Sequence, residues 1–133
     1  MDASQLQAQI PAIFAPWIAE LGLQVLSAAG GQVELELPVK PSFIHSGGVM
    51  CGQTVMAAAD TAMVLAMMSQ LGEFRPMTTV QLQTSFLRPI STASCRIKAQ
   101  VLRSGKSLAF GSIDIVDGEG RLAAQATTTY ALL

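Results

Sequence analysis

The spacing of apolar residues changes several times along this chain, and each change predicts an element. Between residues 4 and 22, Leu6, Ile10, Ile13, Phe14, Trp17, Ile18 and Leu21 recur at helical spacing, which predicts an amphipathic helix. Pro11 and Pro16 predict that this helix is broken or starts late. Its expected role is packing, over a sheet edge or a pocket mouth. From Gln24 the period falls to two: Val33, Leu35, Leu37 and Val39 alternate with Gln32, Glu34 and Glu36, the mark of a half-buried strand. Lys40-Pro41-Ser42 closes it, and a glycine-rich loop leads into an almost unbroken apolar run over 49–71. Gly72 and then Pro76 are the predicted stops of a helix there.

The second half alternates throughout. TVQLQTSFL sets Val80, Leu82, Thr84 and Phe86 on one face and ends at Arg88-Pro89. CRIKAQVL, SLAFGSIDIV and RLAAQATTTYALL follow, separated by the turns Arg103-Ser104-Gly105-Lys106 and Asp117-Gly118-Glu119-Gly120. Strands joined by such short turns are antiparallel neighbours. With no repeat or linker, residues 1–133 read as one α+β domain. One long central helix is wrapped by a mostly antiparallel sheet of about five strands, with a helix at the N-terminus.

Composition adds a constraint. Hydrophobic residues make up 50% of the chain and charged residues 13%, about half the usual charged share. That much apolar surface requires a membrane or a subunit interface in addition to one core. The run over 49–71 is long enough to span a bilayer, but Asp60 near its centre costs roughly 2.5–3.5 kcal/mol on insertion scales. Its many alanines offset little of this, so a helix buried inside the protein fits better. A net charge of −1 with no basic stripe argues against nucleic acid. No basic residue occurs before Lys40, which gives no positive n-region for secretion. Cys51 and Cys95 lie far apart and read as reduced thiols, so a cytoplasmic setting is expected. One histidine and two scattered cysteines are a poor ligand set for zinc, so no metal is expected.

The candidate chemistry lies in HSGGVMCGQTVMAAADT, residues 45–61, where Asp60 is the only formal charge between His45 and Glu73. An acid in such surroundings is costly unless something pairs it or uses it. Gly47-Gly48 and Gly52 let backbone N–H groups approach a ligand at the positive end of the helix, a cradle for an oxyanion. Asp60 follows Gly52 by eight residues, or roughly 12 Å along a helix. That is too far for both to grip one carbonyl from the same helix, and it favours a composite site where two antiparallel helices meet across a dimer interface. The structural alternative for Asp60 is a carboxylate bonded to a backbone N–H or a threonine. Cys51 is a candidate nucleophile, with a buried thiol filling a core gap as the plainer reading. A Ser-His-Asp triad fails on supply, because the one histidine sits in the glycine loop and no G-x-S-x-G elbow is present.

This segment resembles the hotdog-fold thioesterases of the phenylacetate-degradation type, which hydrolyse acyl-CoA thioesters. Their pattern is Asn, two residues, Gly, two residues, His-Gly-Gly, six residues, Asp; here the frame reads His45, Gly48, Cys51-Gly52-Gln53 and Asp60. Asn has become His45, the motif His has become Cys51, and the second Gly has become Gln53. TTVQLQTSFLRPI resembles the strand after the helix, and LRSGKSLAFGSIDIVDGEGRLAAQATTTY the last two strands.

The resemblance implies roles for individual residues. Asp60 would activate or orient water, or attack the thioester itself, and the Gly52 N–H would polarise the carbonyl. Thr79 matches a strand hydroxyl that helps hold the water. His45 takes the place of an Asn amide near the carbonyl. Gly48, Cys51 and Gln53 complete the loop against the substrate, and Arg103 and Lys106 are the basic candidates for the CoA phosphates. The resemblance implies no cofactor beyond CoA as part of the substrate, and a homodimer that pairs into a tetramer. Two rival readings share this fold: a non-catalytic acyl-CoA-binding protein, and an enoyl-CoA hydratase or dehydratase, which would want its His and Asp poised for proton transfer on carbon.

Overall fold

The computed structural model describes residues 1–133. The first helix, α1, spans Ala3–Ile13 and a short second helix, α2, spans Pro16–Ala19. Asp2 caps α1, its carboxylate accepting from the Gln5 N–H while the Gln5 side chain accepts from the Asp2 N–H. Pro11 is accommodated in the last turn of α1, which starts at Ala3, whereas Pro16 opens α2 and holds Ala15 extended at ψ 148°, so Pro16 alone divides the predicted helix.

Six strands follow the expected hairpin logic, one more than the sequence reading counted. They are β1 (Gln24–Ala29), β2 (Gln32–Pro38), β3 (Met77–Phe86), β4 (Ser94–Ser104), β5 (Leu108–Asp117) and β6 (Leu122–Leu132). The additional strand is β1, whose alternation is broken by a bulge at Leu26. All pairings are antiparallel and the order across the sheet is β1-β2-β4-β5-β6-β3, which leaves β1 and β3 as edges. Gln7 of α1 covers part of the β1 edge: its side-chain amide donates to Leu23 O and accepts from the Val25 N–H.

The long helix, α3, spans Gly52–Leu71 and is buried on nearly all sides against the concave face of the sheet. It has no interior Gly or Pro, and Gly72 ends it in the left-handed conformation at φ 82°. The helix is long and apolar enough to cross a membrane, yet 67% of that window is buried inside the protein. One cluster forms the core, from α3 and the inward residues of every strand except the edge strand β3, which packs against it through Met77 and Leu82. Close approach of helix and sheet depends on Gly111: a Cβ there would lie 2.4 Å from the Met63 sulfur. This is a helix wrapped by one antiparallel sheet, the hotdog architecture.

In β3 the structure departs from plain alternation. A bulge between Thr79 and Gln81 inserts Val80 as an extra residue against β6. Leu82 pairs with Thr128 and Thr79 with Tyr130, so Thr79 rather than Val80 takes the inward place opposite Tyr130. Val80 is turned out and 61% exposed, not on the inner face with Leu82. The carbonyl of Gln81, at the disrupted rung, accepts from the Thr128 hydroxyl at 2.8 Å.

Candidate active site

Asp60 lies two turns into α3, half-buried, facing the paired ends of β3 and β6. The Thr79 hydroxyl donates to Asp60 Oδ1 at 2.9 Å. The Tyr130 hydroxyl donates to the same oxygen through a short contact and also lies 2.9 Å from the Asp60 backbone carbonyl. Oδ2 has no protein partner and is not sealed from solvent. Burial, and then the bond to the Asp60 carboxylate, push the Tyr130 phenol well above its ordinary value, with Thr79 opposing, so it remains a donor. A cavity of about 260 Å³ opens here, lined by Ile13, Phe14, Val64, Phe74 and Met77 around the Asp60, Thr79 and Tyr130 cluster, together with Thr78.

Tyr130 is the residue that the sequence reading missed. It stands 70 positions from Asp60 in a strand read only for alternation. The available signal was its polarity, a phenol at an inward position of β6 following Thr128. Thr79 is where it was expected, but its proton is committed to Asp60.

The start of α3 forms a second region. Gly52 opens the helix, and Phe86 from the end of β3 lies over it: a Cβ on Gly52 would come within 3.1 Å of the Phe86 ring. Gly52 and Phe86, with His45, Met50, Val55 and Arg88, line a mainly apolar cavity of about 470 Å³. His45 is exposed on the loop, and its Nδ1 accepts from the Gly47 N–H at 2.8 Å. That bond leaves Nε2 to carry the proton of the neutral ring, so the nitrogen free to meet a ligand is a donor. Arg88, read before only as the end of a strand, is a cation within this cavity.

The remaining candidates line neither cavity. Cys51 caps the helix without a side-chain bond to its N–H groups, and its sulfur contacts Thr54 Oγ1 at 3.1 Å. That contact is the main influence holding its thiol below the ordinary value, with burial opposing. Gly48 sits in the loop at φ 82°, and Gln53 is exposed on the first turn of α3. Arg103 and Lys106 are exposed around the β4–β5 turn, at the sheet end where Ser104 pairs with Ala109 and Ala109 with Tyr130.

The two cavities share no lining residue, although one helix supplies Gly52 to the first and Asp60 to the second. A single chain thus holds a donor end and an acid end, some 12 Å apart by helix rise.

Comparison with known proteins agrees with this geometry. The model of the thioesterase superfamily matches residues 47–124, the span from the glycine loop to the start of β6. A candidate esterase of Thermoplasma volcanium is 32% identical over 102 residues, covering 77% of this chain and 76% of that one. Among solved structures, zebrafish thioesterase superfamily member 2 superposes with a TM-score of 0.84 at 26% identity, covering 98% of this chain and 95% of the other. A mutant of the phenylacetic acid degradation protein PaaI from Thermus thermophilus gives 0.80 at 25%, with 90% and 100% covered. Helix, sheet and the matched loop-to-acid segment lead to one conclusion: the chain belongs to the thioesterase superfamily, which makes it a hydrolase of the thioester type.

Proposed function

We propose that the chain hydrolyses an acyl-CoA thioester to a free acid and CoA, at a site that two copies assemble together. The observation that carries this reading is the separation of the two half-sites: a hydroxyl-anchored carboxylate in one cavity and a glycine helix start in another. Neither alone supplies both a base and an oxyanion donor at one carbonyl.

Edge pairing supports the assembly. β3 is an unpaired edge with Val80 and Phe86 exposed. Two β3 strands related by a two-fold axis at Gln83 pair antiparallel and, with Val80 left out as the extra residue, place Thr79 opposite Phe86 of the second copy. Since Thr79 holds Asp60 and Phe86 covers Gly52, each acid then meets the other copy's helix start. Pairing of two such dimers into a tetramer would cover further apolar surface, including Leu102, Leu108 and Phe110.

In the reaction, the carbonyl oxygen of the thioester accepts from the Gly52 N–H while Asp60 Oδ2 takes a proton from water. Water oxygen bonds to the carbonyl carbon, the oxyanion collapses, the C–S bond breaks, and the proton leaves with the CoA sulfur. Direct attack by Oδ2, giving an anhydride that water then opens, uses the same atoms. The Nε2–H of His45 is a second donor beside the carbonyl. Arg88 at the cavity, with Arg103 and Lys106 on the turn, are the cations for the phosphates of CoA. No metal or redox cofactor takes part in this scheme, and the two free cysteines suit a cytoplasmic enzyme.

The test is thiol release from a panel of acyl-CoAs by the wild type and Asp60→Asn. Release that disappears in the variant supports the reading. A folded Asp60→Asn at full rate overturns the mechanism. Tight acyl-CoA binding without any thiol release points instead to a binding protein, and hydration of an enoyl-CoA without release to a hydratase.

A further inference from the structure

Asp60 is held in an uneven way. Both hydroxyl donors reach the same oxygen, Oδ1, and none reaches Oδ2. The donors are a cross-strand pair, Thr79 on β3 and Tyr130 on β6. They face Asp60 together only because the bulge at Val80 shifts the phase of β3 by one residue. In an unbulged strand the register that pairs Leu82 with Thr128 would set Val80 opposite Tyr130, and a valine would face the acid.

We propose that Tyr130 is a positioning residue for the hydrolytic reaction: with Thr79 it ties down Oδ1 of Asp60, so that Oδ2 alone meets the water or the thioester. The inference rests on the reading of Asp60 as the reacting acid.

Three features carry it beyond a general packing role. The Tyr130 hydroxyl bridges Oδ1 and the backbone carbonyl of the same residue, which fixes the side-chain torsion of Asp60 relative to its own helix. Tyr130 is 2% exposed, so water does not compete for its proton. Besides Asp60 and Tyr130, no ionisable side chain of the same chain lines this cavity, so within one protomer the two hydroxyls alone anchor the carboxylate. A carboxylate free to rotate exchanges its two oxygens; one tied at Oδ1 presents a single lone-pair direction, which is what a near-attack geometry needs.

The experiment compares the wild type with Tyr130→Phe, which keeps the buried ring and removes only the hydroxyl, and with Thr79→Ala and Thr79→Ser. Steady-state kinetics are measured on the best acyl-CoA, and the Asp60 side-chain torsion is compared in crystal structures of the wild type and Tyr130→Phe. The expected result for Tyr130→Phe is a kcat lower by about 10- to 100-fold, the worth of one hydrogen bond to a charge. KM should stay within about twofold, because the lost interaction acts on the acid and not on ground-state binding. In the crystal structure of Tyr130→Phe the Asp60 carboxylate should turn away from its wild-type torsion or spread over two, since only Thr79 still holds Oδ1. Thr79→Ala should behave similarly and Thr79→Ser should restore the rate.

Unchanged kcat with an unmoved Asp60 side chain overturns the inference while leaving Asp60 chemistry intact. A KM effect alone, with kcat retained, overturns it as well. A wild type that hydrolyses nothing, but whose Asp60 side chain turns in Tyr130→Phe, refutes the hydrolase reading and keeps the tie.

Discussion

The two cavities along α3, one at its start and one two turns further on, set different chemical problems and use different materials. At the Gly52 end the group we propose to act is a backbone N–H, made available by the helix start and by the lack of a side chain under Phe86. At the Asp60 end it is a side chain, held by two other side chains brought from two strands. A backbone donor tolerates change in its neighbours provided the chain path is kept. In agreement, the loop carries His45, Cys51 and Gln53 where the related pattern has Asn, His and Gly, yet Gly52 still opens the helix. The acid end has no such latitude, since each of its three groups contacts another directly. Substitutions at the acid end should therefore reduce rate steeply, and those in the loop should act only when they move the backbone.

The largest effect is expected at Asp60 itself. Asp60→Asn keeps the shape and can still accept from Thr79 and Tyr130, but it removes the base. Thiol release should fall by about 10²- to 10⁴-fold in kcat, with thermal unfolding little changed. A loss of under threefold would mean that the two ends do not differ in the way described.

Gly52→Ala comes next and tests the backbone end. The N–H is retained, but the new Cβ meets the Phe86 ring at 3.1 Å, so either the ring or the helix start must shift. The neighbour that must give is a side-chain ring and not backbone, so a loss of roughly tenfold in kcat/KM is expected, below the 10²- to 10³-fold cost of deleting an oxyanion donor outright. Adding Phe86→Leu should recover most of it. If the double variant is no better than Gly52→Ala, the steric account of this end fails.

The same contrast explains what could be read from sequence. The glycine loop, the helix and Asp60 are contiguous, so spacing alone sets Gly52 and Asp60 about 12 Å apart on one helix, the separation on which the proposed two-chain site rests. Thr79 was found through resemblance, because its strand ends in a recognisable aromatic and proline. Tyr130 was not found: its partner is 70 residues away, and only the β3–β6 register joins them. The bulges at Leu26 and Val80 were equally hidden, since both replace a regular alternation with one extra residue. The first concealed β1 and the second put Val80 on the wrong face. Arg88 was passed over because a cation before a proline reads as a strand end, and only the folded chain turns it into the Gly52 cavity.

The smallest effect on activity is expected at Cys51, and it sharpens the comparison because this thiol adjoins Gly52 without lining its cavity. The two cysteines differ in environment. The Thr54 hydroxyl, foremost, lowers the Cys51 thiol, whereas burial, with the charges of Asp117 and Glu36 behind it, pushes Cys95 up to about 12. The thiolate is the reactive form, so a lowered value means that Cys51 becomes alkylatable at lower pH than an ordinary thiol. Iodoacetamide should modify one cysteine in the folded protein, with a rate midpoint below pH 9.0, and the second only after unfolding. Mass spectrometry of the peptides separates the two. Cys51→Ala should remove the fast phase and leave kcat within about twofold of the wild type, because the change keeps the backbone path that the Gly52 N–H depends on. Thr54→Val should move the alkylation midpoint upward while Cys51 remains the modified residue. A Cys51→Ala variant that loses hydrolysis as Asp60→Asn does would place side-chain chemistry at the loop too, and the division between the start of α3 and its acid would no longer hold.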